Sequence, residues 1–344
     1  MARRPGTGAS KGASMADVAR LAGVSGQTVS RVVNGSYGVT QETQDRVEAA
    51  MKQLGYRANA AARALATGKF RTIGVVAFNL TTFGNIQVVK SVVTGAREQG
   101  YSTSLAVVET PTERGVQDAV RGLTDRAVDG VVVIEARALD TSNLHFPEEV
   151  PVVIADSSAS HRHPTFGMDE AAGARAAVKH LLDLGHPTVH HVAGPFGSHA
   201  ADRRREAWER LLRREDCPVP EFLWGDWTPE SGYEAGRKLL DTGGVTAAFV
   251  ANDPMAAGVL RAAHELGLRV PEDLSVVGYD DLPIVSFLSP PLTTVRQDLE
   301  EVGRRCLSHV LDLIEGTSEV APPGLRRRLI RPELVVRSST AAPQ

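Results

Sequence analysis

The feature that most limits the fold begins at Thr72, where short apolar runs start to alternate with amphipathic stretches. Strands are expected at Thr72 to Ala77, Ser102 to Val108, Gly130 to Ile134 and Val152 to Ala155, with helices of about 10 to 15 residues between the first three. A second series runs through Val189 to Val192, Leu223 to Trp224, Ala247 to Ala251 and Ser275 to Gly278, again with helices between. Strands apolar on both faces need cover on both faces, which is the arrangement of a parallel sheet between helical layers. Two such series predict an α/β core of two lobes with a cleft between them.

The residues before this core read differently. Met15 to Ala22 places Val18, Leu21 and Ala22 on one helical face, and Gly23 breaks the pattern. Val24 follows as a buried plug and Ser25 as an N-cap. A helix from Gln27 to Asn34 then turns Val29, Val32 and Val33 inward and leaves Gly26, Gln27, Ser30, Arg31 and Asn34 outward. A third helix is capped by Thr40, carries Glu42 and Asp45 in its first turn, buries Val47, Met51 and Leu54, and ends at Gly55. A helix, a tight turn and a second helix with Gln and Arg exposed near its start is the geometry that lays a helix in the major groove. Gln suits adenine edges and Arg suits guanine edges.

The bland alternative is a three-helix interaction domain with Gln27 and Arg31 merely solvated. Charge argues against it. Residues 1 to 71 hold eleven Lys or Arg against four acids, a net of +7 that leaves −10 for the rest of a chain whose total is −3. A basic head on an acidic body marks a protein that touches phosphate with one end.

The remaining composition narrows the class. At 344 residues, 42% apolar and 23% charged, the chain has room for a large core and a small accessory domain. Its first residues are small, polar and basic with no apolar segment behind them, so a disordered arm over 1–14 is expected rather than a secretory signal. No apolar run approaches the roughly 20 residues needed to span a bilayer. Cys217 and Cys306 are too few and too isolated for a disulfide framework or a zinc site, and both are expected to be packing residues in a reducing, cytoplasmic setting. His161, His163 and the pair His190 and His191 lack the further ligands a metal needs. No cofactor is expected.

Asp17-Val-Ala-Arg-Leu-Ala-Gly-Val-Ser25, Thr28-Val-Ser-Arg-Val-Val-Asn-Gly35 and Leu54-Gly-Tyr56 together resemble the head of the lac repressor and gal repressor family of transcriptional regulators. The resemblance implies a homodimeric repressor with one head per half-site of a pseudo-palindromic operator, and Gly26, Gln27 and Arg31 at the base-reading positions. Gly26 has no side chain with which to read a base edge. Asn59-Ala-Ala-Ala-Arg-Ala-Leu65 is similar to the family's hinge helix, with Asn59 its cap and Leu65 the minor-groove wedge. A run this short lies below the ~12 to 15 residues at which an isolated helix becomes marginally stable, so it should form only when DNA and the partner hinge hold it. Ala58 stands where the family usually has proline.

The resemblance divides the chain into a helix-turn-helix head at 15–58, a hinge helix and linker at 59–70, and a core at 71–340 similar to periplasmic sugar-binding proteins. The first lobe is expected at about 71–166 and 298–325, the second at about 167–297 and 326–340. No heptad segment follows the last expected strand, Leu334 to Val336, so a dimer is expected.

Six positions carry the expected effector chemistry. Asp280 follows an apolar strand, and its carboxylate can accept from vicinal sugar hydroxyls; Asn252 also follows a strand, and its amide both donates and accepts. Both match family effector positions, and the alternative is that they cap the helices after them. For Asp253, before Pro254, capping is the preferred reading. Arg204, in Arg204-Arg-Glu-Ala-Trp208, corresponds to a family arginine that donates to hydroxyls. Asp156 matches another contact or is a plain turn residue. Trp227 aligns with a family tryptophan that packs on a sugar ring, the alternative being core packing. Gln297 would lie at a crossover between lobes. Thr110 and Leu299 depart from the family's effector contacts, so the second lobe resembles a β-galactoside site and the first does not.

The expected function is repression of carbohydrate-utilisation genes, relieved when a mono- or oligosaccharide binds between the lobes; corepression, or a non-sugar effector, is the other form of the same scheme. A sugar-modifying enzyme would need a phosphate-cradling loop or facing carboxylates, and neither is present in the sequence. A sugar-transport component would need a signal peptide and no basic head.

Overall fold

The computed structural model describes residues 13–33, 38–56, 68–78, 80, 83–108, 112–134, 146–155, 163–317 and 327–344. Most of the expected arm, the hinge with Asn59 and Leu65, and Asp156 lie outside the described residues. Contacts divide the chain at Arg71 and Thr72 into two units.

In the first unit, α1 (Met15–Ala22), α2 (Gly26–Val33) and α3 (Gln41–Leu54) each begin at a side-chain cap. The Ser14 hydroxyl accepts from the Asp17 amide while the Asp17 carboxylate accepts from the Ser14 amide, a reciprocal box. Ser25 Oγ accepts from the Thr28 amide at 3.1 Å, and Thr40 caps α3. Each such cap contributes about 1 kcal/mol. Gly23 and Gly55 end α1 and α3 in the left-handed region, at φ 65° and 60°, where a Cβ would be strained. Val18, Ala19, Ala22, Val29, Val47 and Ala50 form the core, with Val32, Val33, Met51 and Leu54 half-buried around it.

Leu21 does not join that core; it is 45% exposed. At about 100° per residue, Val18, Ala22 and Ala19 span one arc and Leu21 lies outside it, on the far side of Val18. The face is centred one step further round than the spacing of Val18, Leu21 and Ala22 implied.

The second unit begins with β1 (Thr72–Phe78), α4 (Phe83–Glu98), β2 (Ser102–Val108), α5 (Glu113–Thr124), β3 (Gly130–Ile134), β4 (Val152–Ala155) and β5 (Thr165–Met168). With β11 (Arg327–Ile330) these strands form a six-stranded sheet in the order β11-β5-β4-β3-β1-β2, every neighbouring pair parallel. Val116, Val120 and Leu123 of α5 cover one face. The other is covered by α4 and by α10 (Leu299–Glu315) through Val88, Val92, Val302, Cys306 and Val310. A Cβ on Gly303 would lie 2.6 Å from Ser91 Cβ, so α4 and α10 approach at a separation only glycine allows.

The second sheet, β7-β6-β8-β9, is also parallel. It contains β6 (His190–Ala193), β7 (Leu223–Trp224), β8 (Ala247–Val250) and β9 (Ser275–Val277). Helices α6 (Glu170–Asp183) and α7 (His199–Arg214) pack on one face around Trp208, Phe249 and Tyr279. On the other lie α8 (Pro229–Asp241) and α9 (Asp253–Glu265), around Met255 and Val259. A short antiparallel pair, β10 (Thr294–Arg296) and β12 (Glu333–Val335), adjoins β9 through the Val277–Thr293 and Asp280–Arg296 bridges.

Three strands escaped the sequence reading: β5, β10 and β11 are only three or four residues long, and none is a continuous apolar run. They move the lobe boundaries. β11 pairs with β5 in the first sheet, so the final crossing falls after Ile330 rather than at 326, and the first falls after Met168 rather than at 167. No helix among the described residues is long and apolar enough to cross a membrane.

Candidate functional site

On the head, Gly26, Gln27 and Arg31 are exposed and Ser30 is half-buried. Gln27 and Arg31 stand four residues apart, so they share one face of α2, opposite Val29. Space around Gly26 is open: a Cβ there would meet nothing within 4 Å.

The core holds a cavity of about 720 Å³ between its lobes. Its second-lobe wall is polar and is organised around Arg204, 4% exposed on α7. Nε donates to Glu170 Oε2 at 2.8 Å and Nη1 donates to the Ala251 carbonyl at 2.5 Å. Nη1 also lies 3.8 Å from Asp280 Oδ1. The guanidinium stacks over Tyr279, 3.7 Å from the ring centre, and faces Trp227 at 5.5 Å. Burial works against its charge, yet the fields of Glu170, Tyr279 and Asp280 raise its pKa, so it stays charged.

Asp280 takes φ 116°, a backbone that side chains rarely adopt, and it is held there by its amide donating to the Val295 carbonyl at 2.8 Å. Gln297 Nε2 donates to its Oδ1 at 2.7 Å. Burial pushes the Asp280 carboxyl up to about 6, with Arg204 pulling the other way. The site therefore joins a fixed cation to a carboxyl whose burial works against its charge.

Trp227, also left-handed at φ 76°, lays its ring against Gly194, where a Cβ would fall 2.2 Å from a ring carbon. The ring faces the cavity and also packs against the α8 and α9 core, so both readings of this residue describe part of its setting.

For Asn252 both readings describe part of its setting, and for Asp253 the expectation is corrected. Asn252 lines the cavity and is also the N-cap of α9: Oδ1 accepts from the Met255 amide at 3.0 Å and Nδ2 donates to the Trp227 carbonyl at 3.0 Å. Asp253, expected to cap, is instead the first residue of that helix and is buried, accepting from Thr294 Oγ1 at 2.6 Å and the Leu282 amide at 2.8 Å. Asn252 precedes the first helical turn and so faces its free amides, which Asp253 cannot.

Glu170 was not read from the sequence. It looks like an ordinary first-turn acid of α6, and only the fold brings it to Arg204, 34 residues on. Facing this polar wall are Phe83, Val88, Ile134, Met168, Leu299 and Val302 of the first lobe. The cavity is thus polar on one side and, apart from Asn85, apolar on the other, suited to a ligand that presents hydroxyls one way and C–H surface the other.

A helix-turn-helix head together with a two-lobed core that holds a cavity between its lobes defines a DNA-binding regulator. Residues 14–59 match the bacterial regulatory proteins of the lacI family, and residues 178–340 match the periplasmic binding protein-like domain. The chain is 36% identical to the lactose operon repressor of Escherichia coli (strain K12), over 95% of this chain and 90% of the relative. It is 33% identical to the HTH-type transcriptional repressor PurR of Haemophilus influenzae (strain PittEE), over 95% and 98%. Among solved structures, the lac repressor dimer bound to operator and the anti-inducer ONPF superposes with a TM-score of 0.83 at 34% identity, covering 96% of this chain and all of that one. The transcriptional regulator CelR in complex with cellobiose superposes at 0.68 with 29% identity, over 95% and 99%. The chain belongs to the lacI family of bacterial regulatory proteins, and it is a DNA-binding transcriptional repressor of that family rather than an enzyme.

Proposed function

We propose that this repressor binds a pseudo-palindromic operator as a dimer and leaves it when a saccharide occupies the cavity between the core lobes. The observation that carries the reading is the polar wall, where a charged arginine, a carboxylate and a glutamine amide converge beside a tryptophan ring. Arg204 and Asp280 offer a donor and an acceptor to neighbouring hydroxyls, and Trp227 offers a face to ring C–H groups. Asn252 retains one amide hydrogen for the ligand. Gln27 and Arg31 read the operator, and the hinge with Asn59 and Leu65 couples head to core. Effector and operator then weaken each other by the same factor.

A second reading rests on the apolar wall, which suits a less hydroxylated effector that strengthens operator binding. A thermal-shift screen of the full protein against mono- and disaccharides and against nucleobases separates the two, since a ligand that binds only the folded state raises the melting temperature. Operator binding is then followed by fluorescence anisotropy with the hit present. Saccharide binding that weakens the complex supports the first reading; a nucleobase that tightens it replaces that reading with the second. Unchanged operator affinity in both Arg31→Ala and Leu65→Ala would overturn the proposed DNA contacts.

A further inference from the structure

Two exposed aromatic rings are carried by loops that supply part of the cavity wall, though neither ring lines the cavity itself. Phe196 is 84% exposed and Trp224 is 44% exposed, and they pack edge to face with ring centres 5.9 Å apart. Both lie at the carboxyl edge of the second sheet, where Ala193 of β6 pairs with Trp224 of β7. The loops that carry them run directly into the cavity wall: Ser198, His199 and Ala200 follow Phe196, and Asp226 and Trp227 follow Trp224.

The rings are braced from within. Trp224 meets Phe222 at 5.0 Å, and Phe222 meets the buried Trp208 at 6.4 Å with the Arg205 guanidinium 5.2 Å from its ring. Trp208 is fixed in turn by donating to the Val189 carbonyl at 2.7 Å. A ladder of aromatic contacts thus runs from the core to the surface and holds Trp224 in place before anything binds. Exposed aromatics set on a rigid base cost little ordering on binding and present flat apolar faces.

From this placement we infer that Phe196 and Trp224 form an outer sugar subsite, so that the effector is an oligosaccharide with one end in the cavity and a further pyranose ring on this rim. The inference rests on the saccharide reading of the cavity. A protein-docking role fits less well, because a stable interface covers roughly 800 Å² per partner. The exposed positions that follow Trp224 in its loop, Asp226 and Thr228, are polar. A single sugar ring matches the patch in size, and its C–H face matches the rings in chemistry.

Isothermal titration of the full-length protein tests this, using glucose and galactose and their α-1,4- and β-1,4-linked di- and trisaccharides. Affinity is expected to rise about tenfold or more with chain length in the series that binds. Phe196→Ala and Trp224→Ala should each remove about five- to tenfold of that gain, while monosaccharide affinity stays within about twofold. Trp224→Phe should restore part of it, since a flat ring returns. Equal affinity for short and long saccharides, or equal losses for both in the variants, overturns the outer subsite and leaves the cavity reading intact. Binding of none of the saccharides removes the cavity reading and the subsite with it. A shift in sedimentation mass or operator affinity in Trp224→Ala, with saccharide affinities unchanged, assigns the patch to a macromolecular contact instead.

Discussion

Asp280 concentrates most of the site's tunable chemistry in one residue. Its carboxyl is raised by burial to about 6, and the proposed hydroxyl donors need its ionised form. Effector affinity should therefore be flat above neutrality and fall as pH drops through about 6, approaching a tenfold loss per pH unit below it. Calorimetry between pH 5 and 8 reads this, and Asp280→Asn should both weaken binding and flatten the profile. Gly26 invites a complementary change on the head. Because a Cβ there meets open space, Gly26→Ser should leave stability within about 0.5 kcal/mol while changing the preferred operator sequence. Thermal melts and a selection from randomised half-sites check the two halves of that expectation.

At the scale of elements, the start of α9 ties the cavity to the strand that leads into a lobe crossing. Asn252 caps the helix from the cavity side, while Asp253 reaches the Leu282 amide and the Thr294 hydroxyl of β10, two residues before Arg296. Burial, and then the charge of Asp280, push Asp253 up to about 8. The folded protein thus holds a proton that the unfolded chain releases near 3.8, so this group favours folding at low pH and its contribution is lost as pH rises from about 4 toward 8. Asp253→Asn, whose carbonyl keeps one acceptor while the Thr294 hydroxyl turns to accept, should flatten the fall in melting temperature between pH 5.5 and 8. Gly194 sets a second element-level constraint. With a Cβ 2.2 Å from the Trp227 ring, Gly194→Ala should displace that ring, cost about 1–3 kcal/mol, and weaken effector binding, read by denaturant melts and calorimetry.

The same elements explain what the sequence disclosed. The head's caps at Ser25 and Thr40 and its stops at Gly23 and Gly55 are local signals, written within one turn of where they act. β1, β3 and β8 were legible because burial on both faces leaves a continuous apolar run. β10 was not, since Thr294 and Arg296 owe their place to β12 and to the loop at Asp280. Arg204, Trp227, Asp280 and Gln297 were found by motif and do line one cavity, whereas Glu170 became visible only once α6 lay beside α7. The cap of α9 fell to Asn252 and not to Asp253 because a cap is decided by backbone geometry, which neighbouring Asn and Asp do not distinguish in sequence.

For the whole molecule, linkage sets the test. If saccharide weakens the operator complex by a given factor, operator must weaken saccharide binding by that same factor. Coupling of about 1–3 kcal/mol corresponds to roughly 5- to 150-fold, so anisotropy titrations with and without effector, and calorimetry with and without operator, should agree within that range. A factor of one in both titrations would show that saccharide and operator are not coupled.

The interleaving of the lobes has a bearing on how such a protein can be rebuilt. Everything up to Arg71 is one uninterrupted segment, so a chimera that exchanges the DNA-reading head needs a single junction. The core offers no such cassette: among the described residues its chain passes between the sheets after Met168, again near Gln297, and again after Ile330. Exchanging one lobe would require several coordinated splices, two of them at Met168 and Gln297, which line the cavity. Operator choice can thus be recombined as a module, whereas ligand choice has to be changed residue by residue.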